Sequence, residues 1–218
     1  MCGRFYLTAG PERLIEAFQL QGLAHYESSY NIPPGQKILC IVKLDDDSYK
    51  AVNLHWGLIP HWAKDRKISN HMINARAETL AEKPAFRLAY KQRRCLIPAT
   101  GFYEWQQLQQ GKQAYCISRT DGQLIAFAGL WEYWEHDTET IYSCSIITRP
   151  ANALIKPVHQ RMPVIIASQY YKDWLDKQAS LKTTEQLLTS DDAYQGITLK
   201  PVSNWVNNPQ HNDQNCLN

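Results

Sequence analysis

Residues 95–148 form a series of strand-like runs that are separated by short polar turns. Turns are predicted at Gln110-Gly111-Lys112, at Thr120-Asp121-Gly122 and across residues 135–140, where glycine and polar residues interrupt the apolar runs. Strands joined by connections this short pair as antiparallel neighbours, because a parallel connection needs a crossover of about a dozen residues or more. This stretch therefore predicts an antiparallel meander at the centre of the fold.

Further strands and a few helices flank the predicted meander. Residues 37–44 and 49–56 predict a hairpin around Asp45-Asp46-Asp47, and residues 197–202 predict a late strand. Helices are predicted from Pro11, around residues 86–90, over 168–174 and over 183–188, the last with Thr183-Thr184-Glu185-Gln186 as its capping box. The pattern predicts an α+β fold dominated by antiparallel strands, with helices at the periphery.

Length and composition favour a single domain. The chain has 218 residues, 44% of them hydrophobic, which is enough for one sizeable core. We expect this domain to span residues 1–207 and to be followed by a polar, disordered tail at residues 208–218. Because the sequence has neither a signal-peptide pattern nor an apolar run of about 18 residues, we expect a soluble cytoplasmic protein.

Cysteine spacing and charge exclude some classes of site and leave others open. Six scattered cysteines without a C-x-x-C pair favour reduced thiols over a disulfide framework or a zinc site. The run Asp45-Asp46-Asp47 matches no calcium loop and predicts a plain turn. A formal net charge of +2 neither demands nor excludes nucleic acid. Arg4 and the cations of residues 91–94 lack acidic partners nearby in sequence, and we expect them to be solvated.

The N-terminus, Met1-Cys2-Gly3-Arg4, carries the most distinctive chemistry. Cysteine is small enough for methionine aminopeptidase to remove Met1, which would leave Cys2 with an α-amine beside its thiol. Reference pKa values of about 7.7–8.0 for the amine and about 8.5 for the thiol make both groups usable nucleophiles. The pair can close a thiazolidine on an aldehyde or act in acyl transfer. On these four residues alone, a cysteine without special function remains the simpler interpretation.

Three internal stretches carry polar groups that core packing does not explain. Residues 74–79 place an amide, a guanidinium and a carboxylate in one short segment. Glu104 lies among apolar residues, which would raise its pKa towards the range needed for proton transfer; an outward-facing strand position is the alternative. His159 and Arg161 combine an acid–base group with an anion-binding group, although a surface loop or a hydrogen-bonded core histidine explains them equally well.

Taken together, six motifs resemble the SRAP family, the SOS-response-associated peptidases, which are also called abasic-site processing proteins. The motifs are Met1-Cys2-Gly3-Arg4-Phe5, Tyr30-Asn31-Ile32-Pro33-Pro34-Gly35, Trp56-Gly57-Leu58-Ile59-Pro60, Ile73-Asn74-Ala75-Arg76-Ala77-Glu78-Thr79, Gly101-Phe102-Tyr103-Glu104-Trp105 and His159-Gln160-Arg161-Met162-Pro163. Each motif is weak alone, but six in this order make the resemblance specific. It extends from Cys2 to about Asn207.

This resemblance implies a fold, a reaction and a set of catalytic residues. The fold is a single α+β domain with a mainly antiparallel, barrel-like β core and peripheral helices. In the implied reaction, Cys2 captures C1′ of a ring-opened abasic sugar as a thiazolidine after Met1 has been removed. Asn74 matches the residue that positions the cysteine, and Glu104 matches the acid–base group that assists sugar opening. His159 matches the histidine that contacts the opened sugar and supports a lyase side reaction. No metal or organic cofactor is implied.

The resemblance also implies a DNA partner. We expect single-stranded DNA with abasic sites, reached at replication junctions by a monomer in the cytoplasm that associates with the nucleoid, and no membrane partner. The residues that match phosphate contacts beside the lesion are Arg4, Arg76 and Arg161. The residues that match support for flanking bases are Trp105, Trp62 and Pro34.

Two other function classes remain open. Met1-Cys2-Gly3 also opens glutamine amidotransferases of the N-terminal-nucleophile type, but that interpretation leaves residues 74–79 and 159–163 unexplained. Glutaminase activity would distinguish it. A noncovalent reader of modified or single-stranded DNA is the other class, and it would be favoured by retention of binding after loss of Cys2 together with the absence of an adduct in the wild type. Peptidase activity is expected only in the narrow sense of self-removal of Met1.

Overall fold

The computed structural model describes residues 2–23 and 25–218, and twelve strands and four α-helices lie within these ranges. The strands are Phe5–Leu7 (β1), Ser29–Ile32 (β2), Lys37–Lys43 (β3), Tyr49–Trp56 (β4), Asn74–Arg76 (β5), Arg94–Ala99 (β6), Gly101–Gln107 (β7), Lys112–Arg119 (β8), Ile125–His136 (β9), Glu139–Pro150 (β10), Arg161–Pro163 (β11) and Ile197–Val202 (β12). The helices are Pro11–Phe18 (α1), Arg87–Gln92 (α2), Tyr171–Leu175 (α3) and Leu181–Thr189 (α4).

Five strands close into a barrel. The larger sheet has the order β11-β10-β4-β3-β6-β9, and its last strand returns to pair with β10 from Glu139–His136 to Ile146–Gly129. Most neighbours are antiparallel, but β10 runs parallel to β4 and to the short strand β5. The structure confirms the predicted α+β fold with its mainly antiparallel, barrel-like core.

The second sheet brings the N-terminus next to the centre of the predicted meander. Its order is β12-β8-β7-β1-β2, and every neighbouring pair is antiparallel. Strand β1 pairs with β7 at Phe5 and Phe102, and the Tyr103 N–H donates to the Arg4 carbonyl at 2.9 Å. This pairing holds the first residues of the chain alongside the strand that carries Glu104.

Aromatic rings link the two sheets through a common core. The ring centroid of Phe5 lies 5.3 Å from that of Trp56 and 5.8 Å from that of Phe127, both in edge-to-face geometry. Phe102 of β7 also meets Phe127 at 5.8 Å. Each such pair contributes about 0.5–1.5 kcal/mol beyond the burial of its area. The sheet that carries the N-terminus is therefore packed firmly on the barrel.

Three thiols pack together within the barrel. Cys40, Cys95 and Cys144 come from β3, β6 and β10, and the other two thiols add to the effect of burial on the pKa of Cys40. Burial raises the pKa of Cys40 and of Cys144, so these thiols are protonated at neutral pH. All six cysteines of the chain are free and buried.

The helices cover the edges of the β core. Helix α1 begins at Pro11 as predicted, and Phe18 at its other end stacks on Tyr171 with ring centroids 5.3 Å apart. Helix α4 begins two residues before the predicted position. Its N-cap is Ser180, whose hydroxyl accepts from the Thr183 N–H at 3.1 Å, so the capping box predicted at Thr183 is wrong.

Two predictions of solvated polar segments are also wrong. Arg94 is 6% exposed and donates to the carbonyls of Trp174 and Tyr90, while Arg93 pairs with the buried Glu132 at 2.8 Å. Residues 208–218, expected to be disordered, fold back on the domain and bury Cys216 completely. The partners of Arg94 are backbone carbonyls and not acidic side chains. Contacts with backbone carbonyls cannot be predicted from the distribution of charged residues in the sequence.

Candidate active site

Cys2 lies inside the protein, at the junction of the two sheets. It is fully buried and precedes β1 by three residues. The Asn74 side chain donates from Nδ2 to the Cys2 carbonyl at 2.9 Å. Asn74 in turn is fixed because its strand, β5, pairs with β10 at Ile146. Two sequence-predicted site residues that are 72 positions apart are thus in direct contact, and the amide fixes the backbone of the cysteine.

Glu104 is a buried carboxylic acid at the same junction. It is only 2% exposed, and this burial raises its pKa to about 7, although the backbone N–H of Trp105 acts in the opposite direction. At neutral pH both protonation states are therefore populated, which suits a group that gives and takes protons. Its position on β7 brings it alongside the N-terminal residues because β7 pairs with β1.

The Cys2 thiol has a raised pKa. Burial is the main cause, and the negative charge of Glu104 adds to it, whereas a hydrogen bond from the Arg4 backbone acts the other way. The pairing of β1 with β7 brings Glu104 alongside the N-terminal residues, which accounts for this influence. The raised pKa means that the thiol is protonated at neutral pH and needs a base before it can attack.

His159 is held by the backbone that follows it. Its Nδ1 lies 3.0 Å from the Arg161 nitrogen and 2.9 Å from the Arg161 oxygen, which fixes the plane of the ring. Burial lowers the pKa of the imidazole, so the neutral form predominates at pH 7. Burial therefore raises the pKa of Glu104 and lowers that of His159, so that the carboxylic acid has the higher pKa of the two.

The three candidate phosphate-binding arginines lie in different environments. Arg76 at the end of β5 is exposed, and Arg4 is half buried. Arg4 donates from Nη1 to Asn31 Oδ1 at 2.7 Å and to the Val206 carbonyl at 2.9 Å. Arg161 donates to both carboxylate oxygens of Glu78. Two of these cations thus have protein partners that the sequence did not predict.

The candidate base-contacting residues divide between two places. Trp62 is 50% exposed and lines a cavity of about 580 Å³ together with Asn74 and Arg76. Trp105 is half buried on the second sheet, lies 5.9 Å from the Arg4 guanidinium and donates from Nε1 to Asn207 Oδ1 at 2.7 Å. The cavity therefore extends from Asn74, which binds the Cys2 carbonyl, to the exposed side chains of Trp62 and Arg76.

Pro34 lies in the turn between β2 and β3, where it is half buried. The same turn ends at Gly35, whose φ of 86° explains the glycine, because side-chain-bearing residues rarely adopt that conformation. The neighbouring Asn31 has the clearer role in the structure, since its 2% exposed side chain connects β2 to the C-terminal segment.

Sequence reasoning missed three features of this region. Asn31 donates from Nδ2 to the carbonyls of Val206, Asn208 and His211, at 3.2, 3.0 and 2.8 Å. The C-terminal segment that accepts these bonds packs against Arg4, and Glu78 binds Arg161. Asn31 and Glu78 both lie within recognised motifs, so the sequence drew attention to them. Their partners lie far away in the sequence, and the contacts could not be predicted.

Neither a metal site nor a membrane-crossing helix is found in the described part of the chain. Residues 2–23 and 25–218 contain no group of three or more His, Cys, Asp or Glu side chains arranged to hold a metal ion. No helix within those ranges is both long enough and apolar enough to cross a bilayer.

Comparison with known proteins gives a consistent result. The abasic site processing protein YoaM of Bacillus subtilis is 43% identical over 223 residues, which cover 100% of this chain and 97% of that protein. The abasic site processing protein YobE of the same organism is 41% identical over 216 residues, which cover 96% of this chain and 98% of that protein. The abasic site processing protein HMCES of Gallus gallus is 31% identical over 261 residues, covering 100% of this chain and 77% of that protein.

Solved structures share the same architecture. A protein from Bacteroides thetaiotaomicron has a TM-score of 0.87 at 24% identity, with 99% of this chain and 98% of that chain covered. A protein from Bordetella bronchiseptica has a TM-score of 0.80 at 26% identity, with 93% and 100% covered. The SOS response associated peptidase (SRAP) family matches residues 1–209. With the whole site lying inside that match, this chain belongs to the SRAP family.

Proposed function

We propose that the protein captures abasic sites in single-stranded DNA as a covalent thiazolidine on Cys2, after removal of Met1. The observation that carries the proposal is the fully buried Cys2, whose carbonyl accepts from Asn74 at 2.9 Å and which lies just before β1; this strand pairs with β7, which carries the buried carboxylic acid Glu104 with a pKa of about 7. The names of the relatives, abasic site processing proteins, support the choice of substrate. The alternative of a glutamine amidotransferase is not supported by any of these relatives.

Removal of Met1 is the first requirement of the mechanism. While Met1 is attached, the Cys2 nitrogen belongs to a peptide bond and cannot attack a carbonyl. Hydrolysis of that bond uses one water and releases methionine and a free α-amine. We assign this narrow peptidase activity to the protein: the Cys2 thiol attacks the Met1 carbonyl, which frees the α-amine, and water then hydrolyses the thioester to release methionine. Cleavage by methionine aminopeptidase would give the same free N-terminus.

The second step forms a Schiff base with the opened sugar. The neutral amine of Cys2 attacks the aldehyde carbon C1′ and gives a carbinolamine. Protonated Glu104 donates its proton to the departing hydroxyl group, which leaves as water, and an iminium bond forms between nitrogen and C1′. Asn74 supports this step by holding the Cys2 backbone at a fixed position. Glu104 is left as a carboxylate.

The third step closes the ring. The Cys2 thiol, protonated because its pKa is raised, gives its proton to the Glu104 carboxylate as sulfur attacks C1′. The C–S bond forms, and the π electrons of the iminium return to nitrogen. The product is a thiazolidine, one water has been lost overall, and Glu104 is again protonated. A single carboxylic acid with a pKa near 7 thus serves both steps.

Strand cleavage competes with ring closure at the Schiff base. Loss of a proton from C2′ of the iminium allows elimination of the 3′ phosphate, which is a lyase reaction. We assign the contact with the opened sugar to His159, which is neutral at pH 7 and held by the Arg161 backbone. Fast attack by the thiol favours the crosslink, and slow attack favours cleavage.

Single-stranded DNA fits the proposed site better than a duplex does. An abasic sugar in a duplex lies between stacked neighbours, and extracting it costs a few kcal/mol, whereas a single strand avoids most of this cost. Arg4, Arg76 and Arg161 are the proposed phosphate contacts. Trp62, which is 50% exposed, and the half-buried Trp105 are the proposed supports for flanking bases, each contributing about 1–3 kcal/mol. Replication junctions supply such strands.

Cysteine variants test the proposed chemistry. Incubation with an abasic-site oligonucleotide should give a stable adduct on a denaturing gel for the wild type and none for Cys2→Ala. Cys2→Ser keeps the amine, so a Schiff base should be trapped only when borohydride is added. An equally stable adduct with Cys2→Ala would refute the thiazolidine mechanism. Equal rates on single-stranded, junction and duplex substrates would refute the strand preference.

A further inference from the structure

Glu78 forms an ion pair with Arg161, one of the arginines that the proposed function assigns to a DNA phosphate. Nη1 and Nη2 of Arg161 donate to the two carboxylate oxygens, with Nη2 at 3.0 Å from Oε2. The hydrogen bond from Arg161 lowers the pKa of Glu78, and the charge of Arg76 lowers it further. One carboxylate thus faces two of the three candidate phosphate-binding cations.

Arg161 has a second anchor that does not depend on Glu78. Its Nη2 also donates to the Thr148 carbonyl at 2.6 Å and to Thr148 Oγ1 at 3.2 Å. The side chain of Arg161 is 17% exposed, whereas that of Glu78 is 44% exposed. The guanidinium is therefore fixed on β10, and the carboxylate is the partner that can leave for water.

Carboxylates and phosphodiesters compete for the same edge of an arginine. Each presents two oxygens to two parallel N–H groups of the planar guanidinium. In the DNA-free protein, Glu78 holds that edge of Arg161. The carboxylate of this ion pair is 44% exposed and accessible to water, so a phosphate can exchange with it at the guanidinium.

We propose that Glu78 is a specificity-determining residue that competes internally with DNA phosphates for Arg161. This inference rests on the proposed function. The competition weakens noncovalent binding to any strand, and the covalent bond at Cys2 then retains the protein only where an aldehyde is present. Selectivity against undamaged DNA thus comes from a built-in cost of binding as well as from the lesion chemistry.

The test measures noncovalent affinity for an undamaged single-stranded oligonucleotide over a range of salt concentrations, in a Cys2→Ala background. Glu78→Gln should tighten binding about two- to fivefold, the effect expected from freeing one exposed ion-pair partner. It should also steepen the slope of log K against log salt by about 0.7, because one more phosphate is neutralised. Glu82→Gln, an exposed residue with the same change of charge, is the matched control and should leave the slope unchanged.

Arg161→Ala separates competition from a general charge effect. In that background the gain in affinity from Glu78→Gln should be much smaller, because only the influence on Arg76 remains, and an undiminished gain would overturn the proposal. Weaker or unchanged affinity of Glu78→Gln, with wild-type crosslinking through Cys2 intact, would overturn this inference alone. Absence of both DNA binding and crosslinking in the wild type would refute the proposed function and the inference with it.

Discussion

Glu104→Gln should stabilise the folded protein while it disables the site. The carboxylic acid is 2% exposed, and burial raises its pKa from an ordinary 4.5 to about 7. An ionised carboxylate at this position is therefore unfavourable in the folded state, and a neutral amide of the same shape removes that cost. The same substitution removes the proton donor and acceptor of the proposed mechanism.

The size and sign of the effect follow from proton linkage. Below pH 4.5 the carboxyl is protonated in both the folded and the unfolded chain, so its full contribution to stability is present. Between pH 4.5 and about 7 only the unfolded chain ionises, and stability falls by about 1.4 kcal/mol per pH unit. The loss reaches about 3 kcal/mol above the folded-state pKa and then levels off.

Urea unfolding of both proteins from pH 4 to pH 8.5 measures this difference. The free energy of unfolding of Glu104→Gln minus that of the wild type should increase by about 3 kcal/mol across the range. Glu132→Gln is the control: this buried carboxylate pairs with Arg93 at 2.8 Å, so its loss should destabilise the protein. A Glu104→Gln difference that does not vary with pH would refute the assignment of a raised pKa.

Three further substitutions test the rest of the site. His159→Ala should change the ratio of crosslink to strand cleavage on a denaturing gel by ~10²-fold or more, with DNA affinity little altered; an unchanged ratio would remove His159 from the chemistry. Arg4→Ala should lower the salt slope of single-strand affinity by ~0.7 in a Cys2→Ala background, and an unchanged slope would leave Arg4 with only its structural contacts. Trp62→Ala should weaken single-strand binding by ~1–3 kcal/mol, measured by fluorescence anisotropy; undiminished affinity would contradict base stacking on this exposed ring.

Local signals in the sequence predicted most of the individual elements. The hairpin of β3 and β4, helix α1 and strand β12 lie where the apolar periodicity and turn residues indicate. The division of the meander between two sheets was not predictable in this way. It depends on the pairing of β7 with β1, nearly a hundred residues earlier in the chain, and on closure of the barrel between β9 and β10.

The candidate site was predicted as a set of residues but not as an arrangement. The motifs named Cys2, Asn74 and Glu104, and the structure brings them together through strand pairings that no local pattern encodes. The partners of the arginines were missed for the same reason. Arg4 is held by a backbone carbonyl of the C-terminal segment, and Arg161 by a carboxylate 83 positions away.

Intact mass spectrometry of the protein after incubation with an abasic-site oligonucleotide shows whether Cys2 captures the lesion as a thiazolidine. The expected adduct has the mass of the chain without Met1 plus the intact oligonucleotide, minus one water. Chain molecules that retain Met1 should remain unmodified in the same sample. An adduct on Met1-containing chains, or complete Met1 removal with no adduct, would contradict thiazolidine capture by Cys2.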